Sequence, residues 1–179
     1  SDGDWAANSL TRLSLGDGKA VREVVRRACV ARPARADFAR ELAQLEIANG
    51  DVRPALKALA TAEHADGRSR VRWAYSDQLL SQRVPRDSGA AVEVLLDFAG
   101  DTSVDPLFRS VAGRRIYDVA VARLTLRDVA PRIQKALADL PPERWGPDLR
   151  LGVARGLREG GHTAEARALL NEGSAAPSP

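Results

Sequence analysis

The side chains able to do chemistry are few and widely spaced. His64 and His162 are the only histidines, each beside a predicted turn and roughly one hundred residues from the other, so they read as solvated turn residues. Cys29 is the single cysteine, set among Val25, Ala28 and Val30 on a predicted helix; it has no partner for an internal disulfide and should pack as a small hydrophobe. No His-x-x-x-His or Cys-x-x-Cys spacing occurs, so no metal centre is expected. Asp97, Asp101 and Asp105 gather at a predicted junction between helices, where carboxylates cap helix ends or pair with arginine. An acid–base pair would need a buried cleft around them, and nothing nearby suggests one. Neither a phosphate-cradling glycine loop after a strand nor a Gly-x-Ser-x-Gly nucleophile turn is present. The expectation is a chain with no catalytic residue, no cofactor and no metal.

Charge narrows the partner classes. The 27 basic residues face 24 acidic ones for a net charge of +3, and all but Lys19, Lys57 and Lys135 of the basic set are arginine. Arg26-Arg27, Arg114-Arg115 and the trio Arg68, Arg70 and Arg72 are the positions best suited to phosphate contacts. Yet Glu23 lies four residues before Arg27 as an intrahelical partner, and no exposed-type aromatics alternate with the arginines as single-strand binding would want. Nucleic acid is therefore disfavoured as a partner. No apolar run is long enough for a membrane span, and no charged-then-apolar leader opens the sequence. The absence of methionine leads to the expectation of a segment of a longer protein, with Gly173-Ser-Ala-Ala-Pro-Ser-Pro179 composed like a linker and residues 174–179 read as a flexible tail.

Helices must supply whatever surface the chain presents. Apolar residues make up 44% of the sequence, alanine and leucine dominate them, and the β-branched residues do not alternate. The periodicity predicts ten helical segments at about 4–15, 19–31, 36–49, 52–63, 69–82, 88–99, 105–122, 128–139, 147–159 and 163–172. Paired in order they form five helix–turn–helix units. Gly16 and Gly50 mark the first two turns 34 residues apart, and Trp5, Ala39 and Trp73 repeat the same interval. Asp51 and Asp128 each precede a proline by three residues, which predicts an Asp N-cap with Pro in the first helical turn at both places. Gly152, Gly156 and Gly160 recur every four residues, and close packing within the stack explains them better than an intermolecular contact.

These residues resemble the tetratricopeptide repeat. In the second unit Leu42-Ala43 fit its Leu-small pair, Gly50-Asp51 its inter-helix turn, and Ala55 with Leu59 its second-helix small and large positions. The first unit supplies Trp5, Ser9, Gly16-Asp17, Val25, Ala28 and Pro33, and the last supplies Val153-Ala154, Gly160-Gly161, Ala166 and Leu170. The third and fourth units match poorly: Asp77 falls at the small-residue position, Val84-Pro85 replaces the glycine turn, and the fourth unit is stretched.

The resemblance implies an all-α, TPR-like α-solenoid of about five helix pairs over residues 1–173, bacterial in type. It implies a non-catalytic protein–protein interaction or scaffold module, one segment of a larger protein such as those of envelope assembly or exopolysaccharide export. A helical accessory domain of an enzyme whose catalytic part lies outside the segment, and a helical-repeat nucleic-acid binder, are the alternatives. The compartment stays open between bacterial cytoplasm and periplasm. If the first helix of each unit lines the concave side, the partner-facing residues are Arg40, Gln44 and Ile47, then Gln78 and Gln82, then Arg155 and Arg158. The expected partner is a protein or peptide, acidic or polar, steered by arginine.

Overall fold

A computed structural model describes residues 18–66, 70–81 and 85–172. Among them lie nine α-helices and one 3-10 turn, with no strand, so the fold is all-α as expected. The predicted 4–15 helix, with Trp5 and Gly16, and the 174–179 tail fall outside the described residues. The chain forms two compact units, Ser1–Gln82 and Arg83–Pro179.

The first unit contains α1 (Gly18–Ala31), α2 (Ala36–Ala48), α3 (Arg53–Asp66) and α4 (Val71–Ser81), each packed on the next. The α2–α3 turn is built by Gly50, whose φ of +102° only glycine adopts cheaply. Its N–H donates to Ile47 O at 2.9 Å and the Asp51 N–H donates to Glu46 O at 3.0 Å, the two bonds of a Schellman motif. Asp51 then accepts from the Arg53 N–H at 3.0 Å and starts α3, with Pro54 harmless in its first turn. Ala43, Ala55 and Leu59 are fully buried where the helices cross, as the repeat-like spacing predicts.

The third-unit register needs correction. Six of the seven buried residues of α2 (Phe38, Ala39, Leu42, Ala43, Glu46, Ile47) recur in α4 (Val71, Arg72, Tyr75, Ser76, Leu79, Leu80) thirty-three residues on, not thirty-four, while buried Leu45 has the exposed Gln78 as its counterpart. Ser76 is the fully buried small residue and Asp77 is exposed, while Trp73 is only half-buried. Arg72 takes the inward place opposite Glu63. The Glu63 carboxylate accepts from the Arg72 backbone N–H at 2.9 Å and from its guanidinium at 2.8 Å, so one buried acid both caps α4 and neutralises a buried arginine.

The second unit holds α5 (Pro85–Gly100), α6 (Pro106–Arg123), α7 (Leu126–Ala136), the 3-10 turn Pro142–Trp145, α8 (Pro147–Glu159) and α9 (Thr163–Glu172). The α5–α6 and α7–α8 pairs pack most extensively, and α9 folds back on α8. Gly161, at φ +88°, repeats the turn at Gly50: its N–H donates to Arg158 O at 3.1 Å and that of His162 to Leu157 O at 2.8 Å. Leu169 rather than Leu170 is the buried large residue of α9.

The glycine stripe of α8 packs inside this unit. A Cβ on Gly152 would meet the Tyr117 ring, one on Gly156 would meet Leu126 and Ala130, and Gly160 faces the Arg127 carbonyl oxygen. That packing also explains a misplaced start. Helix α7 begins at Leu126, not at Asp128, so Pro131 lies inside it and Asp128 is not its cap. Seating Leu126 over Gly156 favours starting the helix two residues ahead of Asp128, despite the hydrogen bond that Pro131 cannot donate.

Candidate partner-binding faces

In the first unit α2 and α4 meet where the buried Tyr75 hydroxyl donates to Gln44 Oε1 at 3.3 Å. Arg40 is exposed one turn before Gln44, and Gln78 is exposed one turn after Tyr75. These three predicted residues thus fall on neighbouring helices of one unit. Ile47 does not join them: it is 1% exposed and belongs to the core between α2 and its neighbours. It is the next-to-last residue of α2, where an apolar side chain turned inward takes its surface out of water. Gln82 lies outside the described residues.

In the second unit α6 and α8 are adjacent and run in the same direction. Ser110 Oγ donates to Arg144 O at 2.7 Å, Arg114 pairs with Asp148 at 3.0 Å, and Tyr117 lies on Gly152. The first two contacts join residues 34 apart in sequence, the spacing the glycine turns predicted. On the outer side of α6, Leu107 (67% exposed), Val111, Arg114, Asp118 and Val121 (60% exposed) form one stripe at helical spacing. Beside it on α8 run Asp148, Leu151 (57% exposed), Arg155 and Arg158.

Both predicted arginines of α8 are exposed, but Arg155 is already engaged by Glu159 at 2.7 Å, whose hydrogen bond pushes its pKa up. Arg114 is held likewise, by Asp148 first and by the Asp118 charge next. Arg114 and Arg155 are thus neutralised within the unit, Arg158 stays an exposed cation, and the rest of the face is aliphatic. Leu107, Val111, Val121 and Leu151 were missed because charge was sought; continuing the helical spacing of Arg155 and Arg158 one turn back reaches Leu151.

The residues singled out for other chemistry have local uses. Asp105 caps α6 by accepting from the Leu107 N–H at 2.8 Å, and Asp101 accepts from the Ser103 N–H at 3.0 Å. Arg26 pairs with Glu46, Arg27 with Glu23 and Arg114 with two aspartates, so these members of the basic pairs are committed within their own unit. Cys29 is half-buried, and that burial, with the Asp37 charge second, pushes its thiol up and away from reactivity. Among the described residues no three His, Cys, Asp or Glu side chains form a metal-sized cluster, and no helix is long and apolar enough to cross a membrane.

Comparison of the chain with protein-family models, with curated proteins and with solved structures finds no match.

Proposed function

We propose that this chain is a TPR-like, non-catalytic protein-interaction segment, and that its second unit binds a protein partner through the α6–α8 face. The observation carrying the proposal is the row of exposed aliphatic side chains, Leu107, Val111 and Val121 on α6 with Leu151 on α8, across two helices packed side by side. Such a surface costs solvation in the free chain and gains from being covered. The repeat reading draws support from the matched Schellman turns at Gly50 and Gly161 and from the 34-residue offset between α6 and α8. It draws support also from the recurrence of the α2 burial pattern in α4. A nucleic-acid role is the poorer reading, since Arg26, Arg27 and Arg114 are occupied by carboxylates.

Site-specific photocrosslinking in cells of the source organism tests the reading. A benzophenone side chain at position 111 or 151 should trap the same protein, and one at the exposed Lys135 of α7 should not. Adducts that differ between 111 and 151, or equal trapping from 135, would remove this face from consideration.

A further inference from the structure

Helices α1 and α3 of the first unit both pack on α2 without packing closely on each other, and a groove of about 440 Å³ opens between them. Leu42 of α2 is among its lining residues, Cys29 and Val30 come from α1, Pro33 from the α1–α2 turn, and Pro54, Ala58 and Thr61 from α3. That volume lies in the ~300–1,000 Å³ range of clefts that hold ligands. The lining is apolar almost throughout. Thr61 turns its hydroxyl to the Lys57 carbonyl of its own helix at 2.7 Å, which withdraws that polarity from the groove. Val30 is 82% exposed, an aliphatic side chain with nothing over it on the groove edge.

Charge distinguishes this groove from a mere packing gap. Two cations, Arg26 and Lys57, line it, and among the described residues no carboxylate does. The Arg26 guanidinium is drawn to the buried Glu46 at 2.5 Å, so its charge is matched and its aliphatic stem is left along the wall. Lys57 is exposed and has no carboxylate within ion-pair distance among the described residues. The edge is left with one unmatched positive charge beside an apolar trough. The α2–α4 residues Arg40, Gln44 and Gln78 belong to other helix faces, so the groove is a separate site.

We infer that the α1–α3 groove takes an acidic peptide segment of another protein, seating a bulky apolar side chain between Val30 and Ala58 and placing a carboxylate at Lys57. The apolar side chain supplies the burial and the carboxylate sets the direction of entry. A segment lacking either property loses one of the two complementarities.

The test uses the intact chain and three fluorescein-labelled peptides: a Leu-Phe core flanked by two aspartates on each side, the same core flanked by lysines, and an Ala-Ala core flanked by aspartates. The aspartate-flanked Leu-Phe peptide should bind at least tenfold more tightly than the other two, and weaken as salt is raised. At saturation it should slow alkylation of Cys29, the single cysteine, by iodoacetamide at least fivefold. Val30→Asp should weaken binding about fivefold or more, and Lys57→Glu should reverse the preference toward the lysine-flanked peptide; both positions are exposed, so neither change threatens the fold. Indifference of binding to Lys57→Glu, or unchanged Cys29 alkylation at saturation, overturns the inference. Cys29 protection that grows with protein concentration alone would instead assign the groove to a second copy. Faster alkylation in Trp5→Ala without peptide would assign it to the chain's own first residues, and either result also overturns the inference.

Discussion

Arg109 is 2% exposed, yet its guanidinium reaches three elements of the second unit. Nε donates to Ala99 O at 2.5 Å and Nη2 to Ala136 O at 3.0 Å, carbonyls near the C-terminal ends of α5 and α7, where the helix dipoles favour a cation. Nη1 and Nη2 also grip the two oxygens of Asp139 at 2.6 and 2.5 Å. Nothing in the sequence separates Arg109 from the other arginines, because its role depends on where two other helices end. Arg109→Leu should cost about 3 kcal/mol by urea denaturation, because the Ala99 and Ala136 carbonyls would lose their buried donor. Arg109→Lys should recover only part, since an ammonium cannot reproduce the planar fork. The Arg109 hydrogen bonds hold the Asp139 carboxyl below its usual range. A carboxyl with a depressed folded pKa stabilises above its unfolded value, about 3.9, and loses that contribution as pH falls through the folded value. Asp139→Asn should therefore flatten the loss of stability between pH 4 and pH 2 in urea midpoints taken across that range; a profile parallel to that of the unaltered chain would show that the pair carries no acid dependence.

Two turns set the helical hairpins, and both were legible. Glycine after an amphipathic run predicted the breaks at Gly50 and Gly161, and each has the positive φ and paired carbonyls of a Schellman cap. A Cβ would meet nothing within 4 Å at either glycine, so an alanine there meets backbone strain and no clash. Gly50→Ala and Gly161→Ala should each cost about 1 kcal/mol, read as nearly equal drops in urea midpoint. A markedly larger loss at one of them would mean that its turn also carries packing. Where the element reading failed, tertiary contacts overrode local signals. The Asp128-to-Pro131 pattern reads as a cap, but Leu126 packing on Gly156 moves the start of α7. The short turn Pro142–Trp145 reads as a proline break; it is ordered because Trp145 is buried and its Nε1 donates to Leu140 O at 3.2 Å.

At the scale of the whole chain, composition and 3.6-residue periodicity were enough for an all-α fold, and the glycine stripe of α8 was correctly read as packing within the protein. The candidate surface was only half legible. Arg40, Gln78, Arg155 and Arg158 are exposed and Gln44 is half-buried, whereas Ile47 is core and the aliphatic stripe on α6 went unread. A wheel drawn on one helix cannot say which apolar residues lose their cover when a neighbour packs slightly to one side. The account's central claim is that the α6–α8 face is a binding surface and not an incidental exposure. The most direct test is the affinity of the photocrosslinked partner, purified, for the unaltered chain and for Leu151→Asp, with helicity and melting temperature recorded on both. The account predicts at least a tenfold weaker affinity, about 1.4 kcal/mol, with helicity and melting temperature held. Equal affinities for the two chains would contradict it.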